Sequence, residues 1–197
     1  MKYLFVLLFI TLQACSSGLG QRPESIPPVK HEDVIVFGDS ICADLNSPPF
    51  MIFPAWPTVL EELSIVNVEN YCIPGVQLSE YKFEAKFLEA GTAYRYAVIN
   101  LGINDIMKGK GLDATMEFYQ SALDYIGSQG IEPVCFVYNN YRIEILALSV
   151  AITELCTQRD LLLIQSAPET FDSVHLTSAA QYDTAVDAWR ILFSRKY

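Results

Sequence analysis

The chain has 197 residues, 51% of them hydrophobic, enough for one domain with a sizeable core and too few for two. Acidic residues outnumber basic ones by 23 to 13, a formal charge of −10, and the basic residues are scattered, so no face is built to neutralise phosphates and a nucleic-acid partner is excluded. Two histidines and no Cys-x-x-Cys argue against a zinc site, and nothing in the composition calls for a cofactor.

Residues 1–14 read as a signal and not as part of the fold. Lys2 is followed by an apolar run from Tyr3 to Leu12 and then by Leu12-Gln13-Ala14-Cys15. The run is about half the roughly 20 residues that a spanning helix needs. The pattern resembles a bacterial lipoprotein signal, which implies cleavage before Cys15 and diacylglycerol on its thiol. Acylation of the new amino group would give the two or more chains that anchor stably. Ser16-Ser17 lack the aspartate that typically retains lipoproteins at the inner membrane, so in a Gram-negative source the expected address is the outer membrane. Loss of residues 1–14 removes Lys2 and no acid, which leaves the body one unit more negative. Residues 15–30 hold three prolines, two glycines and small polar residues, the composition of a flexible tether. Residues 31–197 then form the one domain.

Val34 to Phe37 is a β-branched and aromatic run that reads as a buried strand, and Gly38-Asp39-Ser40 turns the chain at its end. Ile41 to Pro57 is rich in proline and aromatics and reads as irregular, with a helix expected over Pro54 to Leu63 and Pro57 in its first turn. Ile65 to Glu69 alternates and gives a second strand, Asn70 to Gly75 a loop, and Leu78 to Ala90 a helix. A third strand over Tyr94 to Leu101 runs into Gly102-Ile103-Asn104-Asp105. The helix Leu112 to Ser128, the strand Glu132 to Tyr138 crowned by Asn139-Asn140-Tyr141, the helix Ile143 to Arg159, the strand Asp160 to Ile164 and the helix Thr177 to Ser194 complete the order. Strict alternation predicts an α/β fold, a five-stranded parallel sheet between two helical layers with right-handed crossovers.

With Cys15 set aside, four cysteines remain in a chain apparently addressed to an oxidising space. Cys42 and Cys72 both follow strand ends, and Cys42 with Cys72 is the favoured pairing. Cys135 lies in an apolar run and is as readily a reduced core residue, which leaves Cys156 open.

Ligands of open α/β sheets bind in the crevice outside the carboxyl ends of the strands. Ser40 sits there, although a Gly-Asp-Ser triplet arises by chance in roughly 5% of chains this long and is often a turn or helix cap. Asp172-Ser-Val-His175, between the last strand and the last helix, is weaker alone, arising in roughly a quarter of such chains. The other histidine, His31, lies in a charged stretch before the first strand. Asn104-Asp105 has an Asx-turn as its bland reading, and Gly75 a simple turn. What matters is that all four groups fall in this order just past strand ends or before the last helix.

The set Gly38-Asp39-Ser40, Gly75, Gly102-x-Asn104-Asp105 and Asp172-x-x-His175 resembles the SGNH, or GDSL, family of esterases and lipases, whose blocks are named for Ser, Gly, Asn and His. The resemblance covers nearly all of the chain from Val34 onward. It implies a flavodoxin-like three-layer fold and hydrolysis of a carboxylic ester through an acyl-enzyme, without cofactor. Ser40 would be the nucleophile, His175 its general base and Asp172 the carboxylate that orients the imidazole. The backbone N–H groups of Ser40 and Gly75 and the Asn104 amide would form the oxyanion hole. Two departures stand out: Cys72 occupies a place where the family often has a second glycine, and Ile103 one where a small residue is common, which would narrow the pocket.

Tyr71, Phe50, Phe53, Trp56 and Tyr141 are candidates to line an acyl or aromatic pocket, although such side chains more often serve core or loop packing. Trp56-Pro57 is similar to the lysophospholipase and thioesterase branch, while an envelope address suits deacetylation of glycans. A small acyl ester of lipid, glycan or another envelope component is the expected substrate. The alternative from another class is a non-catalytic envelope lipoprotein that binds lipid or glycan in the same pocket. A nucleotide binder of the flavodoxin type is disfavoured, because neither Gly-x-Gly-x-x-Gly nor a Gly-Lys-Ser/Thr loop occurs.

Overall fold

The sheet grows from β1 (Val34–Gly38), whose five residues are all buried, as their β-branched and aromatic side chains require between two helical layers. A computed structural model describes residues 33–44, 54–64, 66–90, 94–140 and 142–194. The signal, Cys15, the tether and His31 lie outside the described residues, as do Phe50, Phe53 and Tyr141. The other strands are β2 (Val68–Cys72), β3 (Tyr96–Asn100), β4 (Glu132–Val137) and β5 (Leu162–Gln165). All pair in parallel in the order β2-β1-β3-β4-β5.

Helices alternate with them: α1 (Trp56–Leu63), α2 (Phe83–Ala90), α3 (Ile103–Met107), α4 (Leu112–Ser128), α5 (Ile143–Gln158) and α6 (Ser178–Phe193). The strand order runs outward from β1 to β2 and then reverses to β3. Right-handed crossovers therefore send α1 to one face and α2, α4 and α5 to the other. Packing agrees. α1 lies against α6, and Phe87 of α2 sets its ring 4.9 Å from Phe37 of β1 and 5.8 Å from Tyr125 of α4. The reversal between β1 and β3 is the switch point at which such sheets open a crevice.

Three elements differ from expectation by more than a residue or two at an end. β2 starts at Val68, not Ile65, and runs through Asn70-Tyr71-Cys72, read above as a loop. Register decides this, because Val34 pairs with Val68 and Gly38 with Cys72. β2 is an edge strand whose residues after Val68 are only half-buried, so its pattern is weak. The helix expected over Leu78–Ala90 divides into a single 3-10 turn, Leu78–Glu80, and α2, since Asp105 takes the N–H groups of Leu78 and Ser79 from outside. α3, only five residues long, had no periodicity to read.

Two disulfides lock the layers. Cys42 joins Cys72, as their placement at strand ends implied. Cys135 is not a reduced core thiol: it faces α5 from β4 and is bonded to Cys156, with Cα atoms 6.5 Å apart. Trp56 does not line a pocket either. It is fully buried and stacks on Phe136 at 5.5 Å, part of the core between α1 and β4.

Candidate active site

Gly38 ends β1 where no side chain fits. A Cβ there would collide with Cys42 Sγ and stand 2.7 Å from Cys72 Sγ and 3.0 Å from the Asn100 carbonyl. The disulfide therefore packs directly on the backbone that delivers Ser40. Asp39 follows, fully buried, and its Oδ1 accepts the Ile41 N–H at 3.0 Å, closing the turn. Gln181 of α6 braces the far side: its Nε2 donates to the Ile41 carbonyl at 3.0 Å, and its Oε1 accepts the Trp56 N–H at 2.8 Å.

Ser40 Oγ lies 2.9 Å from His175 Nε2, across 135 positions of sequence. His175 Nδ1 lies 2.6 Å from Asp172 Oδ2. The carboxylate favours the tautomer protonated at Nδ1, which leaves Nε2 to accept the serine proton. Asp172 Oδ1 accepts the N–H of Val174 at 3.0 Å and of His175 at 2.7 Å, so one side chain folds the loop and orients the ring. Burial pushes the Asp172 carboxyl up, and the hydrogen bonds from the His175 N–H and ring and the Val174 N–H outweigh it, holding the group below its ordinary range.

The loop is closed at its base. Thr170 and Leu176 form an antiparallel bridge, Phe171 N–H donates to the His175 carbonyl at 3.0 Å, and Thr177 N–H donates to the Glu169 carbonyl at 3.0 Å. The Phe171 ring stacks on the imidazole at 5.8 Å. Asn140, at the end of β4, donates from Nδ2 to the carbonyl of Ser173 at 2.8 Å, holding a residue in the left-handed region at φ 72°.

Asn104, in α3, reaches the loop that carries Gly75. Ile73 N–H donates to the Gly38 carbonyl at 2.8 Å, which sets residues 73–76 beside the Ser40 turn. Gly75 is exposed at φ 77°, a conformation that suits glycine. Asn104 Nδ2 donates to the Val76 carbonyl at 3.0 Å and keeps a second N–H, since a carboxamide nitrogen carries two. Asp105, fully buried, accepts the Leu78 N–H at 2.6 Å and the Ser79 N–H at 3.3 Å. Its role is to hold the loop, a tertiary form of the cap that Asn104-Asp105 suggested. Ile103 is buried in the core.

The structure thus joins Ser40, His175 and Asp172 in one hydrogen-bonded run and bonds Asn104 of α3 to the loop that carries Gly75. Tyr71 belongs elsewhere: its ring packs near Phe37 and beneath Lys86, and its carbonyl accepts the Tyr81 hydroxyl. Sequence reasoning gave no role to Asn140 or Gln181, whose partners are over thirty and over a hundred positions away. Among the described residues no group of three His, Cys, Asp or Glu side chains is placed to hold a metal, and no helix is long and apolar enough to cross a membrane.

No family model matches the chain, and no curated protein does. Solved structures match it over most of its length. A lipolytic protein of the G-D-S-L family from Desulfitobacterium hafniense superposes with a TM-score of 0.70 at 15% identity, over 81% of this chain and 99% of that one. The psychrotrophic esterase EstA from Pseudoalteromonas sp. gives 0.64 at 14% identity, over 83% and 98%, and the acetylxylan esterase Axe2 from Geobacillus stearothermophilus 0.63 at 15%, over 82% and 94%. At these identities the likeness is one of fold. The chain has the three-layer fold of the GDSL, or SGNH, lipolytic proteins and esterases that its motifs led us to expect.

Proposed function

We propose that the protein is a serine esterase that hydrolyses a carboxylic ester through an acyl-enzyme. The observation that carries this reading is the unbroken run Ser40 Oγ, His175 Nε2, His175 Nδ1, Asp172 Oδ2, at 2.9 and 2.6 Å. A serine hydroxyl is too weak an acid to attack an ester unaided. Here Nε2 takes its proton as Oγ bonds to the ester carbon, and Asp172 stabilises the imidazolium that forms. The developing oxyanion is met by the N–H groups of Ser40 and Gly75 and the free amide N–H of Asn104. Nε2 then returns the proton to the departing alcohol, and water repeats the cycle to release the acid.

The esterase neighbours, among them an acetylxylan esterase, support an ester of a small acyl group. The lipobox-like Leu12-Gln13-Ala14-Cys15 supports a protein held to the bacterial outer membrane by acyl chains on Cys15. Its substrate would then be a lipid, glycan or other envelope ester. Hydrolysis of p-nitrophenyl acetate, butyrate and octanoate beside the Ser40→Ala variant tests the chemistry. The expected loss in the variant is on the order of ten-thousandfold in kcat, with acetate or butyrate preferred. Undiminished turnover in Ser40→Ala would overturn the assignment.

A further inference from the structure

We propose that Lys108 is a positioning residue for the oxyanion hole, holding Gly75 through its carbonyl. The inference rests on the esterase reading and adds a residue that the four motif blocks do not contain. Gly75 is exposed, a Cβ built on it would meet nothing within 4 Å, and its φ of 77° is one that glycine adopts freely, so neither packing nor sterics fixes its peptide planes. Nevertheless an oxyanion donor works only if it is held in place before the charge develops.

Two backbone bonds shape the turn, Ile73 N–H to the Gly38 carbonyl at 2.8 Å and Val76 N–H to the Ile73 carbonyl at 3.2 Å, and the side chains that reach it come from one short segment. Asn104 Nδ2 donates to the Val76 carbonyl at 3.0 Å, and Asp105 accepts the N–H groups of Leu78 and Ser79. Lys110 reaches Ser79 Oγ and also lies 3.5 Å from Asp105 Oδ1. Among these, only Lys108 acts on Gly75 itself, its Nζ donating to the Gly75 carbonyl at 2.8 Å. Asn104 and Lys108 stand four apart across α3, and the Lys108 N–H donates to the Asn104 carbonyl at 3.0 Å, so one helical turn presents both to consecutive carbonyls, Gly75 and Val76. A charge-assisted hydrogen bond is among the stronger ways to fix a carbonyl. Because each peptide unit is planar and the φ and ψ of Gly75 alone separate its carbonyl from its N–H, restraining the first restricts the second.

Four forms of the protein test this on p-nitrophenyl acetate: wild type, Lys108→Met, Lys108→Arg and Lys86→Met. Lys86 stands in the same region, over Tyr71 and paired with Glu89, without touching residues 75–79. The expected result is a fall in kcat of about tenfold in Lys108→Met, less than the hundredfold or more that deleting a donor costs. KM should stay within about twofold, as befits an interaction felt in the transition state. Lys108→Arg should recover most of the loss, Lys86→Met should match wild type, and the urea midpoints of all four should coincide. Wild-type kcat in Lys108→Met, an equal loss in Lys86→Met, failure of Lys108→Arg to recover, or a lowered midpoint that accounts for the loss would overturn the proposal. Its failure is distinct from that of the esterase reading, which would be seen as activity surviving in Ser40→Ala.

Discussion

Asp39, next to Ser40 in the chain, and Asp172, joined to it through His175, have their carboxyls shifted in opposite directions. Burial raises the Asp39 carboxyl from 3.8 to about 7, against the pull of the Ile41 N–H and with a further push from the charge of Asp105. Between those values the folded protein holds a proton that the unfolded chain has released. The contribution of Asp39 to stability therefore falls as pH rises from about 4 to about 7 and is flat beyond. A shift of this size corresponds to about 4 kcal/mol. In Asp39→Asn the amide oxygen still accepts from Ile41 and the titration is gone. The gap in urea midpoint between Asp39→Asn and wild type should move in favour of the variant between about pH 5 and about pH 8, and parallel curves would refute the raised value. Asp172, held low by His175 and Val174, adds stability above the ordinary carboxylate range and loses it as the pH falls through its lowered value.

At the scale of elements, the two disulfides invite a comparison. Cys42–Cys72 spans 30 positions and ties the Ser40 turn to the end of β2, while Cys135–Cys156 spans 21 and ties β4 to α5. By chain entropy each contributes about 3 to 4 kcal/mol. The double variants Cys42→Ala/Cys72→Ala and Cys135→Ala/Cys156→Ala should lose comparable stability in urea. Only the first should also lose kcat on p-nitrophenyl acetate, because its bridge packs on Gly38 and anchors the chain that leads to Gly75. Equal kcat in both would deny the first bridge any share in the site. These elements also show what local sequence carries. The apolar runs of β1, β3 and β4 and the full length of α4 were legible, since burial on both faces or a long period leaves a strong pattern. The existence of β2 was legible but its bounds were not, because the edge-strand residues Asn70-Tyr71-Cys72 look like a loop until their register with β1 is known. Ser40, Asp172 and His175 could be read from their places at strand ends and in one loop, whereas Lys108 and Asn140 act on distant carbonyls and leave no local signal. Trp56 stayed open for a related reason: beside a proline, a core aromatic and a pocket aromatic look the same, and burial decides for the core.

For the whole molecule, the alternating order and the reversal after β2 gather Ser40, His175, Asp172, Gly75 and Asn104 at one end of the sheet. The proposed anchor is testable there too. In the native host, Cys15→Ser should release the protein from membranes and abolish incorporation of a labelled fatty acid, and retention of both would remove the lipoprotein reading. The parallel sheet adds a geometric consequence. The described chain begins at Asp33, at the amino end of β1, and Ser40 lies past the carboxyl end of that strand, about 17 Å away along five residues. The anchor proposed at Cys15 would therefore enter the described domain at the pole opposite Ser40. If that anchor holds, Ser40 faces away from the point of attachment, so an ester across the gap is met more directly than one in the anchoring leaflet.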